Sequence, residues 1–512
     1  MRNRQLLINM VANIISFIIN AGTAFFLTPY LINKVGSGAY GFVPLASNFV
    51  NYVTILTTAL NSMASRFISI EINSNNNEKA NSYFNSVLVA NTIISIVLII
   101  PSVLAILNLS NLLNIPSTIL LDVQLTFGFA FLNMVIALIG NVFAVATFSR
   151  NRLDLREARS IEGSIIRVSV LIGLFIVFSP KIYFITVTTT LATLYKIITN
   201  IYYTNKLLPN IKMNLLKFNF KAVKELISSG VWNSINQLSV ILLTSLDLLI
   251  ANIFLGPLAG GHLAIVKILP IFIQSFVSKL VNVFVPEFTI LYAQKKWKEL
   301  LISINNSIKV MSLINTIPIS FLIIFGDTFF SLWVPNENSN SLYLLSNLTL
   351  IPMIITGSIN TIFNVYTVTN KLKVPSLVLL ITGVLNLIIV VVLLKTTSLG
   401  IIAIPLTALI VGTLRNLIFT PLYAAKCLDV KWNSFYKAIL RGSVCSLVMM
   451  AICWIFKVNI QVDNWFELFG IAVASTLLAL IINAFIIFNK NERTAILKKV
   501  KNTFKNRFKR KL

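Results

Sequence analysis

Six basic residues, Arg167, Lys196, Lys267, Lys279, Lys309 and Arg415, stand inside long apolar runs of the chain, and Arg167, Lys267, Lys279 and Arg415 are the candidates for one cationic cavity. A cation in such a run costs about 3 kcal/mol or more at a bilayer centre, and normally faces a bundle interior or water. Cations in an apolar-walled cavity pull strongly on a multivalent anion. Arginine grips phosphate oxygens bidentately, and lysine acts as a mobile point charge. Arg66 ends the second run, where it would draw an anionic group inward or anchor the helix. Asp247 is the one acid well inside a run; it would neutralise Lys267 or bind Na⁺ or H⁺ to couple a transport step. Asn48, Asn51 and Tyr52 lie about one helical turn apart. They would line a cavity wall, as suits sugar hydroxyls, or join helices. No metal chemistry is expected: His262 is the single histidine, and Cys427, Cys445 and Cys453 lack ligand spacing.

The elements that carry these residues follow from composition. Of 512 residues, 56% are hydrophobic and only 11% charged, against roughly 25% charged in a soluble domain. Continuous Ile/Leu-rich runs of about 20 residues or more recur from end to end, long enough to cross the hydrocarbon core as helices. Fourteen spans are expected: 6–31, 41–70, 81–108, 117–147, 160–179, 182–204, 222–254, 261–290, 301–326, 341–368, 375–394, 399–424, 438–457 and 465–489. The first lacks a small-residue cleavage site and is expected to remain as a span.

Net charge is +26. Its distribution speaks for a membrane rather than nucleic acid. With the N-terminus inside and alternating loops, thirty-two of the 42 basic residues fall inside, four outside and six within spans. A missed or invented span would swap every later loop and spoil this bias. A multi-pass plasma-membrane protein with both termini cytoplasmic is therefore expected. The basic tail from Lys490 suits a short helix on anionic inner-leaflet lipid, or a disordered segment that only fixes topology.

Two segments punctuate the chain alike. Gly36, Ala39 and Gly41 are matched by Gly256, Ala259 and Gly261 at an offset of 220 residues. Six spans separate the copies, so they share an orientation, as in parallel six-helix repeats. The expected organisation is an N-terminal lobe over 1–210, a C-terminal lobe over 211–430, two further spans over 431–490, and a basic cytoplasmic tail over 491–512.

The segments FFLTPYLINKVGSGAYGFVPLASNFVNYV, SRFISIEINSNNNEKANSYFNSV, SGVWNSINQLSVILLTSLDLLIANIFLGPLAGGHLAIVKILP and VPEFTILYAQKKWKEL carry a further signal. Through them the chain resembles the polysaccharide exporters of the multidrug/oligosaccharidyl-lipid/polysaccharide (MOP) superfamily, of the O-antigen or teichoic-acid flippase type. The resemblance implies an all-α, MATE-like fold of two six-helix lobes plus two C-terminal helices. It also implies alternating access, with a polyprenyl-phosphate- or pyrophosphate-linked oligosaccharide or teichoic-acid precursor carried from the inner to the outer leaflet. Implied partners are that lipid-linked glycan, anionic membrane lipids and a glycan polymerase or ligase. No organic cofactor is implied; a Na⁺ or H⁺ gradient or the membrane potential would drive the cycle. Lys267 matches a position where lipid II flippases carry a basic cavity residue. The absence of any basic residue in the first span departs from them.

The chain has no P-loop, no histidine cluster and no sizeable acidic loop, so an enzyme is not expected. An efflux carrier for amphipathic cations would want acids in its cavity, and Asp247 alone is offered. A scaffold for glycan assembly would leave the intramembrane cations without a purpose.

Overall fold

The computed structural model describes residues 2–214, 217–488 and 492–493. Among these the secondary structure is helical throughout. Thirteen helices are long and apolar enough to cross a membrane. In chain order the long helices are α1 (Arg2–Val35), α2 (Ser37–Asn73), α3 (Asn77–Leu107), α4 (Ser117–Ser149), α5 (Leu153–Val177), α6 (Tyr183–Leu207) and α7 (Phe220–Leu255). They continue as α8 (Pro257–Ala293), α9 (Trp297–Trp333), α10 (Ser339–Val368), α11 (Lys373–Thr396), α12 (Gly400–Leu428), α13 (Tyr436–Asn459) and α14 (Trp465–Ile487). Each expected span falls on one of them.

Helix α6 is the member that falls short of the apolarity of the other thirteen. It carries seven threonines besides Lys196, Asn200, Asn205 and Lys206. Every one of the threonine hydroxyls donates to a carbonyl three or four residues back in the same helix. Thr190 and Thr204 also reach the carbonyls of Phe129 and Phe143 on α4. Polar by composition, the helix leaves none of these hydroxyls to be met by solvent. At roughly 37 Å it has the length of a span.

The chain packs as two compact units. Of the described residues, those up to 265 and 376–404 form one, and 266–375 with those from 405 on form the other. These units divide the chain by packing, whereas the lobes expected from the sequence divide it by repeat.

In the first unit, Gly36 and Gly256 both take positive φ, 82° and 88°, which L side chains resist. Each ends one long helix and starts the next. Beyond them the two turns meet backbone to backbone. A Cβ on Gly41 would lie 2.8 Å from the Gly261 nitrogen, and one on Gly38 would lie 3.8 Å from the Leu258 nitrogen. A Cβ on Gly261 would run into the Ser37 carbonyl. Gly38 and Gly41 therefore meet their own counterparts 220 positions on, as elements related by a local two-fold do. Further along, Gly230 of α7 rests on the Ala59 carbonyl of α2 with no room for a side chain. Asn233 donates to Ser62 at 3.0 Å and Ser234 to the Ile55 carbonyl at 3.3 Å. Small residues and short polar links thus bind α2 to α7 over most of their length.

The same unit holds the segment that joins α6 to α7. Asn81 and Asn85, one turn apart on α3, use both ends of their amides. Asn81 donates to the Asn210 carbonyl and accepts from the Lys212 nitrogen, both at 2.8 Å. Asn85 donates to the Lys212 carbonyl at 3.0 Å and accepts from the Asn214 nitrogen at 2.8 Å. The pattern copies strand pairing with side-chain amides.

In the second unit α13 lies on α9. Gly442 faces the Ser312 hydroxyl with no space for a Cβ. Thr316 and Ser446 share a hydrogen bond at 2.7 Å, and Asn483 of α14 donates to the Cys445 carbonyl at 3.1 Å. At one end of this bundle Lys457 pairs with Asp327 at 2.7 Å. At the other, buried Lys309 pairs with Glu492 at 2.6 Å. The two helices beyond the repeats are therefore built into the second unit. The tail helix expected on inner-leaflet lipid lies outside the described residues.

The seam predicts that Gly230→Leu lowers the melting temperature of the detergent-solubilised protein and broadens its size-exclusion peak. Overpacking costs about 1–3 kcal/mol or more. Gly173→Ala, at a helical position with open space around it, raises stability by about 0.5–1 kcal/mol. Equal behaviour of the two variants in a thermal melt would refute the α2–α7 close contact.

Candidate functional site

Arg167 lies on α5, half-buried, and its Nε is buried without a hydrogen-bond partner. The reason is visible along the helix. Asp154 is held by Arg152 at 3.0 Å, Glu157 by Arg156 at 3.1 Å and Glu162 by Arg159 at 2.7 Å. Glu162 also accepts from the Tyr195 hydroxyl. Every acid of α5 thus has a neighbouring arginine, and Arg167 comes after the last of them. Tyr40 and Lys196 lie within charge reach of it.

Arg415 opens a five-residue π-helical stretch of α12, Arg415–Phe419. Its Nε and Nη2 donate to Asn416 Oδ1 at 3.1 and 2.8 Å. The Asn416 amide in turn donates to Thr356 of α10 at 2.7 Å. This chain of contacts holds the guanidinium by one edge. Its Nη1 stays buried and unmatched. Arg167 and Arg415, one in each unit, thus share two properties: neither forms an ion pair with a carboxylate among the described residues, and each keeps a buried N–H without an acceptor.

A second π-helical stretch, Ile241–Ser245, interrupts α7. Such stretches are rare and recur at functional positions because they free a carbonyl from the helical ladder. Here the Ser245 carbonyl accepts from Asn48 Nδ2 at 2.9 Å and from the Tyr52 hydroxyl at 2.8 Å. Of the three residues placed on one wall by spacing, Asn48 and Tyr52 thus join α2 to α7, and Asn51 is exposed. Asp247 follows the π stretch and is 6% exposed. It lies within charge reach of the Tyr52 hydroxyl.

Lys267 is half-buried and Lys279 exposed on α8. They stand roughly 18 Å apart along a helix of ordinary rise, with Pro270 between them. Each already takes part in a polar or electrostatic interaction. Arg66 is exposed near the end of α2. Among the described residues no group of histidine, cysteine, aspartate and glutamate could hold a metal ion. The two π stretches, the Ser245 carbonyl and the Asn416–Thr356 support had no signal in the sequence. A π stretch uses the same residue types as the helix around it.

No family model matches. An uncharacterised membrane protein, EpsK of Bacillus subtilis (strain 168), is 27% identical over 504 residues, 97% of this chain and 98% of EpsK. The lipid II flippase MurJ in an inward closed conformation superposes with a TM-score of 0.68, covering 93% of this chain and 99% of that one at 14% identity. An inward-facing MATE multidrug transporter of the MOP superfamily gives 0.67 over 84% and 95%, at 12% identity. A MOP transporter from Pyrococcus furiosus, described as having a binding pocket of reversed polarity, gives 0.57 over 86% and 94%, at 15% identity. This chain has the MATE/MurJ fold. The all-α, multi-pass architecture expected from the sequence is borne out.

The shared acceptor at Ser245 makes a testable non-additive case. Tyr52→Phe alone leaves the carbonyl with Asn48, and Asn48→Leu leaves it with Tyr52. Each single change costs about 1 kcal/mol. The double variant strands the carbonyl and costs more than the sum of the two. Strict additivity in thermal melts would show that the two side chains do not share an acceptor.

Proposed function

We propose that this chain is a flippase that carries a polyprenyl-phosphate- or pyrophosphate-linked oligosaccharide or teichoic-acid precursor from the inner to the outer leaflet by alternating access. The single observation that carries the reading is the pair Arg167 and Arg415. Each is a guanidinium without a carboxylate and with a buried, unmatched N–H. A buried unmet donor on a charged group costs more than a neutral one, and a phosphate oxygen is the acceptor that would answer it. The MATE/MurJ fold is compatible with this reading. A transport rather than an enzymatic role fits both.

In this reading both termini are cytoplasmic, and the repeats over 1–210 and 211–430 act as the two lobes. Arg66 and the inside lysines draw the headgroup to the inner leaflet. Arg167, Lys267, Lys279 and Arg415 then take turns on its phosphates, and Asn51 meets sugar hydroxyls. Asn48 and Tyr52 serve by holding the π stretch of α7. Asp247 binds the coupling Na⁺ or H⁺. The lipid tail stays in the bilayer throughout. A glycan polymerase or ligase would take the product on the outer face.

The test is leaflet exchange in liposomes carrying fluorescent polyprenyl-pyrophosphate-linked glycans. Arg167→Gln and Arg415→Gln each slow exchange by about tenfold or more at equal insertion, the worth of one charge-assisted hydrogen bond. Full-rate exchange in the double variant would end this reading. Export of an amphipathic cation that needs Asp247 and neither arginine would replace it.

A further inference from the structure

We infer that Arg167 of α5 and Lys196 of α6 together form a phosphoryl-binding subsite within the first unit. The inference deepens the reading of Arg167 given above and rests on it. A Cβ placed on Gly163 would lie 2.9 Å from Lys196 Cε and 3.6 Å from its Cγ. The lysine chain therefore lies across α5 at Gly163, in a groove that exists because this position has no side chain. Gly163 and Arg167 are four residues apart, on one face of the helix. Lys196 and Arg167 are consequently side by side, and their charges interact.

Two like charges in a half-buried place repel each other and lose hydration. A carboxylate would normally resolve this, and none is spare. The three acids of α5 are held by Arg152, Arg156 and Arg159. Glu157 comes within charge reach of Lys196, but its carboxylate is bonded to Arg156. Neither Arg167 nor Lys196 makes an ion pair or a side-chain hydrogen bond among the described residues. Tyr40, also within reach of Arg167, is a neutral hydroxyl. The group that satisfies a guanidinium edge and an ammonium at once is an oxyanion with oxygens on more than one side. A phosphate monoester or diphosphate meets that geometry, with arginine taking two oxygens and lysine a third.

The sequence contained half of this. Lys196 was visible as a cation inside a span, but its neighbour could not be known. Residues 167 and 196 are brought together by α5 packing on α6, and by the absence of a side chain at 163.

The test is binding of inorganic pyrophosphate to the full-length protein in detergent at fixed ionic strength, read by calorimetry. Arg167→Gln and Lys196→Gln each weaken binding about tenfold or more, Lys196→Arg restores it, and Lys395→Gln leaves it unchanged. In anion-free buffer Lys196→Gln also raises the melting temperature, because it relieves the repulsion; a purely structural lysine would lower it. Repeating the titration in nanodiscs separates the sources. Weaker pyrophosphate binding in phosphatidylglycerol than in nanodiscs given the same negative charge by a phosphate-free sulfolipid shows a phosphate headgroup competing for the subsite. Equal binding assigns the subsite to a phosphate that is not a bulk lipid's. Pyrophosphate binding by Lys196→Gln within twofold of the native protein, or equal weakening by Lys395→Gln, would overturn the subsite. No transport is measured, so the two readings fail separately. Lost pyrophosphate binding with unchanged leaflet exchange would keep the subsite and remove Arg167 from the flippase path.

Discussion

Hydrocarbon accepts no hydrogen bonds, so every polar group a chain takes into the membrane must find its partner in the chain itself. The rest of this structure follows from that constraint. The threonines of α6 return to their own backbone. The carbonyl freed by the π stretch of α7 is met twice, by Asn48 and Tyr52. Asn81 and Asn85 do for a connecting segment what a neighbouring strand does in a sheet. Neutral exceptions occur, such as the Ser95 hydroxyl and the Asn386 carbonyl oxygen, and each is a modest cost. An unmet N–H on a guanidinium is a different matter. Its charge makes the missing partner expensive, and it specifies what that partner must be.

The packing of the helices obeys the same rule by another route. Where no water is displaced, helices attach through close contact rather than through burial of apolar surface. Hence glycine recurs where two backbones meet, at 41 and 261 and at 230 against Ala59, and where a backbone meets a short polar side chain, at 442 against Ser312. The crossing of the 36–41 turn with its counterpart at 256–261 also gives the repeat a physical meaning. A short motif that occurs twice and packs against itself closes one end of a helix pair with two copies of a single solution. Contact of this kind is held without large side chains interlocking.

Charge is distributed with the same economy. Acids along α5 are matched one to one with neighbouring arginines, and Lys309 and Lys457 have partners in the second unit. The cations left over are therefore informative in a way that the total of +26 is not. In a chain this basic most positive charge lies in the connecting segments, and the few cations inside helices that lack a carboxylate among the described residues stand apart from it.

Much of the fold is legible in the sequence. Apolar runs and the side-to-side bias of lysine and arginine place fourteen helices, because span length and loop charge are local properties. The repeat was legible for the same reason: glycine at 36 and 256 answers a backbone angle, and a backbone angle is local. Even α6, the least apolar, could be counted, since a missed helix would have inverted every later loop. The candidate site was legible only as a set of residue types. That Arg167 and Arg415 are cations inside spans could be read directly. That Asn48 and Tyr52 serve a π stretch, that Lys309 is tied to Glu492, and that Lys196 lies against Arg167 could not. Sequence alone determined which charges enter the membrane, because that depends on each residue and its near neighbours. Tertiary structure alone decided which of them are neutralised there, because partners from different helices meet only once the helices pack.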